Sequence, residues 1–181
     1  IRTPLNGIVG MAELALDTRL DDNQKNIFHT INNEANALQD VINEILDFSK
    51  IEAGKFDLEE TPFDLRVTIE DVANSFAYRA EQKGLDFISF LAPDVPSRLI
   101  GDPARLRQIM VNLTGNSLKF TNEGELYVKG ELVEEIEDRV KIRFSVMDTG
   151  IGIPEDRHAT IFDSFTQADG STTRNYGGTG L

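Results

Sequence analysis

Lys141-Ile-Arg-Phe-Ser-Val-Met147 runs without interruption into Asp148-Thr-Gly-Ile-Gly-Ile-Pro154. In the first half apolar residues alternate with polar ones, the period of a strand with one buried face. In the second, glycines let the backbone approach a ligand closely, and Asp148 stands at a strand end, where ligand sites of α/β folds collect. Working back from this stretch, Leu126 to Val133 is β-rich, and the acidic turn Glu134 to Asp138 joins it to the alternating strand as a hairpin. Asp102 and Pro103 form an N-cap and first-turn proline for a helix to about Phe120. A strand over Leu85–Leu91 precedes it, and before that a helix from about Leu65 to Lys83, led in by Thr61, Pro62 and Phe63 and closed by Gly84. Forward of the stretch, a short helix from Asp156 to Phe162 and a polar, glycine-rich tail end the chain. The pattern is that of a compact α/β domain.

The first third is different. Leu5, Ile8, Ala12, Ala15 and Leu16 recur at helical spacing, and Thr18 to Asp22 make a polar break. The pattern resumes with Ile27, Ile31, Ala35, Leu38, Ile42, Ile45 and Phe48 and ends near Gly54. Steps of three and four predict two helices sharing a coiled-coil-like seam. Their lengths differ, roughly 25 Å against roughly 48 Å at 1.5 Å per residue. A matched antiparallel hairpin therefore predicts that the first helix begins upstream of Ile1. Pro4, in a helix interior, predicts a kink. Lys55 to Pro62 is a short charged connector.

Eighteen basic and thirty-one acidic residues give a net charge of −13, which repels nucleic acid and anionic membrane surfaces but not a nucleotide held by a local cluster of donors. With no cysteine, disulfides, thiolate metal sites and thiol nucleophiles are excluded. His29 and His158 are far apart, so zinc is not expected either. No apolar run reaches the length of a membrane span.

Four clusters carry candidate chemistry. Asn112, Asn116 and Lys119, four and three apart on one helix, project from one face. Amide oxygens suit a hard cation, and amide nitrogens with an ammonium suit phosphate; the ordinary reading is a polar helix face. Asp148 beside Gly150 and Gly152 can accept a hydrogen bond from the exocyclic amine of adenine and meets the O6 acceptor of guanine unfavourably; the ordinary reading is a capped turn. Phe162 and Phe165, three apart, are otherwise a core pair. Arg174-Asn-Tyr176-Gly177-Gly178-Thr179-Gly180-Leu181 offers successive backbone N–H groups and a fixed positive charge to an anion, or is a linker. No GxxxxGK[ST] or GxGxxG occurs.

Together these clusters resemble the N, G1, F and G2 boxes of sensor histidine kinases, in the family's order. Ile1-Arg-Thr-Pro-Leu-Asn-Gly7 is similar to the family's H-box without its leading His-Glu, and Asp47-Phe-Ser-Lys-Ile-Glu-Ala-Gly54 to the end of its second helix. The resemblance spans the whole chain, and its style is that of the hybrid kinases. It implies an α+β chain: a dimerisation and histidine-phosphotransfer hairpin at 1–54, a linker at 55–61, and an ATP-binding catalytic domain at 62–181. The last is a Bergerat-type α/β sandwich lacking its final strands. By the family pattern Asn116 holds Mg²⁺, with Asn112 and Lys119 near the phosphates. Asp148 takes the adenine amine, Gly150 and Gly152 shape the pocket, Phe165 to Tyr176 form a lid, and Gly177, Gly178 and Gly180 are its phosphate-side hinge. Arg174 reaches the terminal phosphate, and Thr3 matches a position used in dephosphorylation.

The implied activity is ATP-dependent autophosphorylation of a histidine, then transfer to a response-regulator aspartate, by a homodimer joined through 1–54. The location is cytoplasmic, with membrane attachment of the parent left open. The accepting histidine and its neighbouring acid would precede Ile1; neither His29 nor His158 lies in an H-box context. The second reading is therefore a non-catalytic adenine-nucleotide-binding and dimerisation module, expected to be inactive alone. A different Bergerat ATPase, of the chaperone or topoisomerase kind, is disfavoured because those place a carboxylate on the helix that here bears Asn112 and Asn116.

Overall fold

The computed structural model describes residues 2–161. The chain divides at Phe56/Asp57 into two units, the second being Asp57–Ala159. In the first, α1 (Arg2–Leu16) and α2 (Asp22–Glu52) form a helical hairpin. Asp21 starts α2 with a reciprocal cap: its carboxylate accepts from the Gln24 N–H at 2.8 Å, and Gln24 Oε1 accepts from the Asp21 N–H at 3.0 Å. Both bonds satisfy donors that a helix start leaves unpaired. Arg2 donates to Asn43 Oδ1 at 2.7 Å and Gln39 donates to Asn6 Oδ1 at 3.3 Å, so the helices run antiparallel. Leu5, Ala12 and Ala35 are buried. Pro4 falls in the first turn of α1 as described, where its missing N–H forfeits no bond to a described residue.

The second unit is a two-layer α/β sandwich built from β1 (Thr61–Asp64), α3 (Leu65–Gln82), β2 (Asp86–Leu91), β3 (Arg98–Gly101), α4 (Pro103–Phe120), β4 (Glu125–Ile136) and β5 (Arg139–Asp148), then a 3₁₀ turn at Glu155–Arg157. The main sheet has the order β2-β4-β5, with β2 parallel and β5 antiparallel to β4. The parallel pair needs a crossover, and α4 lies within it. Leu126 and Val128 of β4 are buried, with Ile142, Phe144 and Val146 of β5 packed against the same core. Leu65, Ile69, Val72, Phe76 and Ala80 of α3 and Met110 and Leu118 of α4 complete it. Tyr127, Lys129 and Glu131 alternate on the other face of β4.

Two carboxylates fasten the helix starts. Asp64 caps α3, accepting from the Val67 N–H at 3.1 Å and from the Ser97 hydroxyl. Asp102 caps α4, accepting from the Arg105 N–H at 3.0 Å, while its other oxygen accepts from the Glu59 N–H at 3.1 Å. The Ser97 hydroxyl and the Val67 N–H hold Asp64 below the usual carboxylate range, and the Arg105 and Glu59 N–H groups do the same for Asp102.

Three local expectations are corrected. β1 and β3 form a small antiparallel sheet, pairing Thr61 with Gly101 through Asp64 with Arg98. Four-residue strands, one containing Pro62, carry too little alternation to stand out in sequence. The β4–β5 hairpin also runs further than the acidic stretch suggested. Glu134 and Glu135 pair with Lys141 and Val140, a bulge falls between Leu132 and Glu134, and the connection narrows to Glu137 and Asp138, with Glu137 at φ 52°. Charged residues mark a turn only when the ribbon needs a buried face, and at its solvated end it does not. Finally, the helix expected over Asp156 to Phe162 is a single 3₁₀ turn followed by turn residues as far as the structure describes them.

Candidate functional site: the end of α4 and the turn after β5

α4 carries two kinds of surface. Met110, Thr114, Ser117 and Leu118 are buried, whereas Asn112 and Asn116 are exposed and Lys119 is half-buried. The helical period separates them as the sequence predicts. The Lys119 ammonium lies 5.0 Å above the Phe120 ring. In the last turn of α4, Lys83, the residue that follows α3, donates to the Leu118 carbonyl at 2.8 Å. A cation on a terminal carbonyl satisfies an unpaired acceptor and opposes the negative helix end.

Asp148, the last residue of β5, pairs with Leu126 and extends an exposed carboxylate. One oxygen accepts from the Ser117 hydroxyl at 2.9 Å and the other from the Gly150 N–H at 2.9 Å. The turn after it is laced to both neighbours. The Ile151 N–H donates to the Phe120 carbonyl at 3.3 Å, and the Thr149 N–H to the Glu125 carbonyl at 3.2 Å. The Thr149 hydroxyl donates to the Glu123 carbonyl at 3.1 Å and accepts from the Glu125 N–H at 3.0 Å. Gly150 is required sterically: a Cβ there would stand 2.5 Å from the Phe120 carbonyl oxygen and 2.9 Å from Asp148 Oδ1. Gly124, at φ 102°, would drive a Cβ into the Thr149 hydroxyl. These contacts bring the C-terminal end of α4 and the Asp148 carboxylate together at one end of the sandwich.

A nucleotide fits that chemistry. Each Asp148 oxygen has one fixed donor and lone-pair capacity left for a base amine. The Thr114 and Thr121 hydroxyls, on α4 and at its end, are fully buried with no hydrogen-bond partner among the described residues. For a cation, no group of three or more Asp, Glu, His or Cys is placed to hold a metal ion among the described residues. Amide oxygens of the kind Asn112 and Asn116 carry can join phosphate oxygens around a hard cation.

The family comparisons agree on one answer. Residues 101–181 match the family described as "Histidine kinase-, DNA gyrase B-, and HSP90-like ATPase". Residues 1–54 match "His Kinase A (phospho-acceptor) domain". The chain belongs to the sensor histidine kinases. Across all 181 residues it is 47% identical to "Hybrid signal transduction histidine kinase L" of Dictyostelium discoideum, of which it spans 11%. Among solved structures it resembles full-length ShkA in complex with AMPPNP, at 32% identity and a TM-score of 0.74. That match covers 95% of this chain and 36% of that one. It also resembles the histidine kinase ThkA in complex with the response regulator TrrA, at 26% identity and a TM-score of 0.57, covering 90% of this chain and 47% of that one. The helical hairpin followed by an ATP-binding α/β domain is thus the kinase arrangement expected from sequence.

Other residues singled out in the sequence lie on other elements. Thr3 is exposed on α1 and His29 on α2. His158 is exposed, and its Nε2 donates to the Ile153 carbonyl at 2.9 Å, closing the turn that contains Glu155–Arg157. Phe162, Phe165, Arg174, Tyr176, Gly177, Gly178 and Gly180 lie outside the described residues. Sequence reasoning missed Ser117, Thr149, Gly124 and Lys83. Ser117 lies between Asn116 and Lys119, but its bond spans thirty-one positions, and no local period reports it. No described helix is long and apolar enough to cross a membrane.

Proposed function

We propose that the protein containing this chain is an ATP-dependent histidine autokinase of a two-component system, probed most directly at Asp148. The carboxylate held by Ser117 and Gly150 at 2.9 Å each is the observation that carries the reading. It gives the site an oriented acceptor for the adenine amine. In this reading Gly150 and Gly152 shape the base pocket, and Asn112 and Lys119 face the phosphates. Asn116 supplies an amide oxygen to Mg²⁺, and Arg174, Tyr176, Gly177, Gly178 and Gly180 serve the phosphate side. Bound ATP supplies the phosphoryl group and Mg²⁺ offsets its charge. The chain's own residues bind and orient, which is most of what phosphoryl transfer asks of a protein.

The accepting histidine is the residue two positions before Ile1, with Thr3 accessory to later dephosphorylation. The partners are a second copy through residues 1–54 and the receiver domain of a response regulator. Residues 55–61 link the hairpin to the catalytic domain at 62–181. Dependence on ATP supports a cytoplasmic location. The second reading, a nucleotide-binding and dimerisation module, is favoured for the 181 residues taken alone, because neither His29 nor His158 has a carboxylate directly beside it.

Radiolabelled ATP with peptide mapping tests both readings. The 181-residue chain stays unlabelled, and the chain extended upstream by His-Glu and downstream through the rest of the catalytic domain acquires an acid-labile, base-stable phosphoryl group on that histidine. Labelling of His29 or His158 would overturn the H-box assignment, and an unlabelled extended chain the autokinase assignment.

A further inference from the structure

Asp148 is exposed at a strand end, and nothing on β5 itself fixes the rotation of its carboxylate. The terminal torsion of an aspartate is broad and roughly two-fold. Two donors from two different elements fix it here: the Gly150 N–H on Oδ1 and the Ser117 hydroxyl on Oδ2, both at 2.9 Å. Gly150 belongs to the same turn and moves with it. Ser117 does not; it sits on α4, its side chain is buried, and its neighbour Asn116 is on the exposed face. The hydroxyl has a single proton, which it gives to Oδ2.

We infer that Ser117 is a positioning residue for adenine recognition, setting the plane of the Asp148 carboxylate relative to the helix that faces the phosphates. The inference rests on the reading of Asp148 as the acceptor of the adenine amine. With the hydroxyl in place, the outward lone pairs of both oxygens point in one fixed direction, and the base amine meets a preorganised acceptor. Without it the carboxylate keeps only the Gly150 donor, turns, and takes water in place of Ser117. The same hydroxyl ties base recognition to α4, so a base seated on Asp148 is in register with Asn112 and Asn116.

The test is displacement of a fluorescent adenine nucleotide by ADP and by purine riboside diphosphate, which lacks the 6-amino group. It is run on the 181-residue chain and on its Ser117→Ala, Asp148→Asn and doubly substituted forms. Loss of one charge-assisted bond predicts that Ser117→Ala weakens ADP about fivefold. It leaves purine riboside diphosphate unchanged and adds nothing in the Asp148→Asn background. Ser117→Cys, close in size with a weak donor, falls between. Equal weakening of both nucleotides, or the same loss with Asp148 already replaced, would mean that Ser117 merely packs α4, and the inference falls while the base assignment stands. A wild-type chain that does not distinguish the two nucleotides would sink the assignment of Asp148 itself.

Discussion

The hairpin and the sandwich have similar shares of apolar residues and use them differently. Among the described side chains of α1 and α2, only Leu5, Ala12 and Ala35 are buried, while Met11 is 68%, Leu14 64% and Leu38 51% exposed. Ile8, Ile27 and Ile31 are exposed too, so the shortfall is not confined to the part of α2 beyond the reach of α1. In the sandwich a continuous set of eleven buried side chains joins α3, α4 and the main sheet. Two antiparallel helices have one shared seam and no third surface, whereas a helical layer over a sheet closes on itself. The sandwich is a finished folding unit. The hairpin is half of one, and a second hairpin completing a four-helix bundle is the simplest way to finish it.

The sharpest way to break this contrast is to empty the sandwich core. Phe76→Ala removes a 4%-exposed ring from the centre of the cluster and should cost about 3–5 kcal/mol, read as a large fall in the melting temperature. Leu38→Ala should leave that transition unchanged. A comparable loss from Leu38→Ala in a dilute, monomeric sample would contradict the division. Next in size is Leu38→Glu. A charge placed on the exposed seam should weaken self-association at least tenfold, on the order of 1.4 kcal/mol or more, with Asn33→Glu as the neutral control. Sedimentation at micromolar concentration distinguishes them, and a wild-type hairpin that stays monomeric there ends the four-helix proposal.

Legibility in the sequence followed how local each constraint is. α2 was readable because its period and its Gly54 stop lie within or beside the helix, and α4 because Asp102, Pro103 and the Asn112–Asn116–Lys119 face do. β1 and β3 were not, since Thr61–Asp64 becomes a strand only by pairing with Arg98–Gly101, some forty positions away. The site divides in the same way. The candidate side chains Asn116 and Asp148 stand in recognisable motifs, but what holds Asp148 in place, Ser117 on another element, is a tertiary fact. So is the need for Gly150, which reads as a flexible turn residue and is a glycine because the Phe120 carbonyl crowds it.

Gly150→Ala therefore sharpens the comparison at the level of the site. The added methyl meets backbone rather than a movable side chain, so the turn must separate from α4, at a cost of about 1–3 kcal/mol. Adenine-nucleotide affinity should fall at least tenfold, because the Gly150 N–H leaves Asp148 at the same time, while self-association of the hairpin stays as it was. An alanine variant that binds ADP like the wild type would show that the turn has room that the 2.5 Å approach denies.

The smallest effect concerns how the sandwich starts its helices, and it is set by pH. Asp102 accepts from Arg105 at the start of α4 with one oxygen and from Glu59, ahead of β1, with the other. Both bonds favour the charged form, so its pKa in the folded chain lies below the unfolded value. A depressed carboxylate pKa gives stability that is fully present above the unfolded value and is lost as pH falls through the folded one. Asp102→Ala should accordingly lower the melting temperature of the sandwich by roughly a few degrees near neutral pH, the usual scale of a lost N-cap. The difference from wild type should shrink as the solution is acidified below the ordinary carboxylate range. Asp102→Asn separates the two bonds. Its amide oxygen still serves the Arg105 N–H, but its amide nitrogen is a donor facing the Glu59 N–H. That variant should lie between the other two and lose the acid dependence belonging to Asp102. The hairpin, whose Asp21 cap has its own partner in Gln24, should show none of these changes. A gap between wild type and Asp102→Ala that stays constant into acid would mean that the carboxylate works by shape alone, not through its charge.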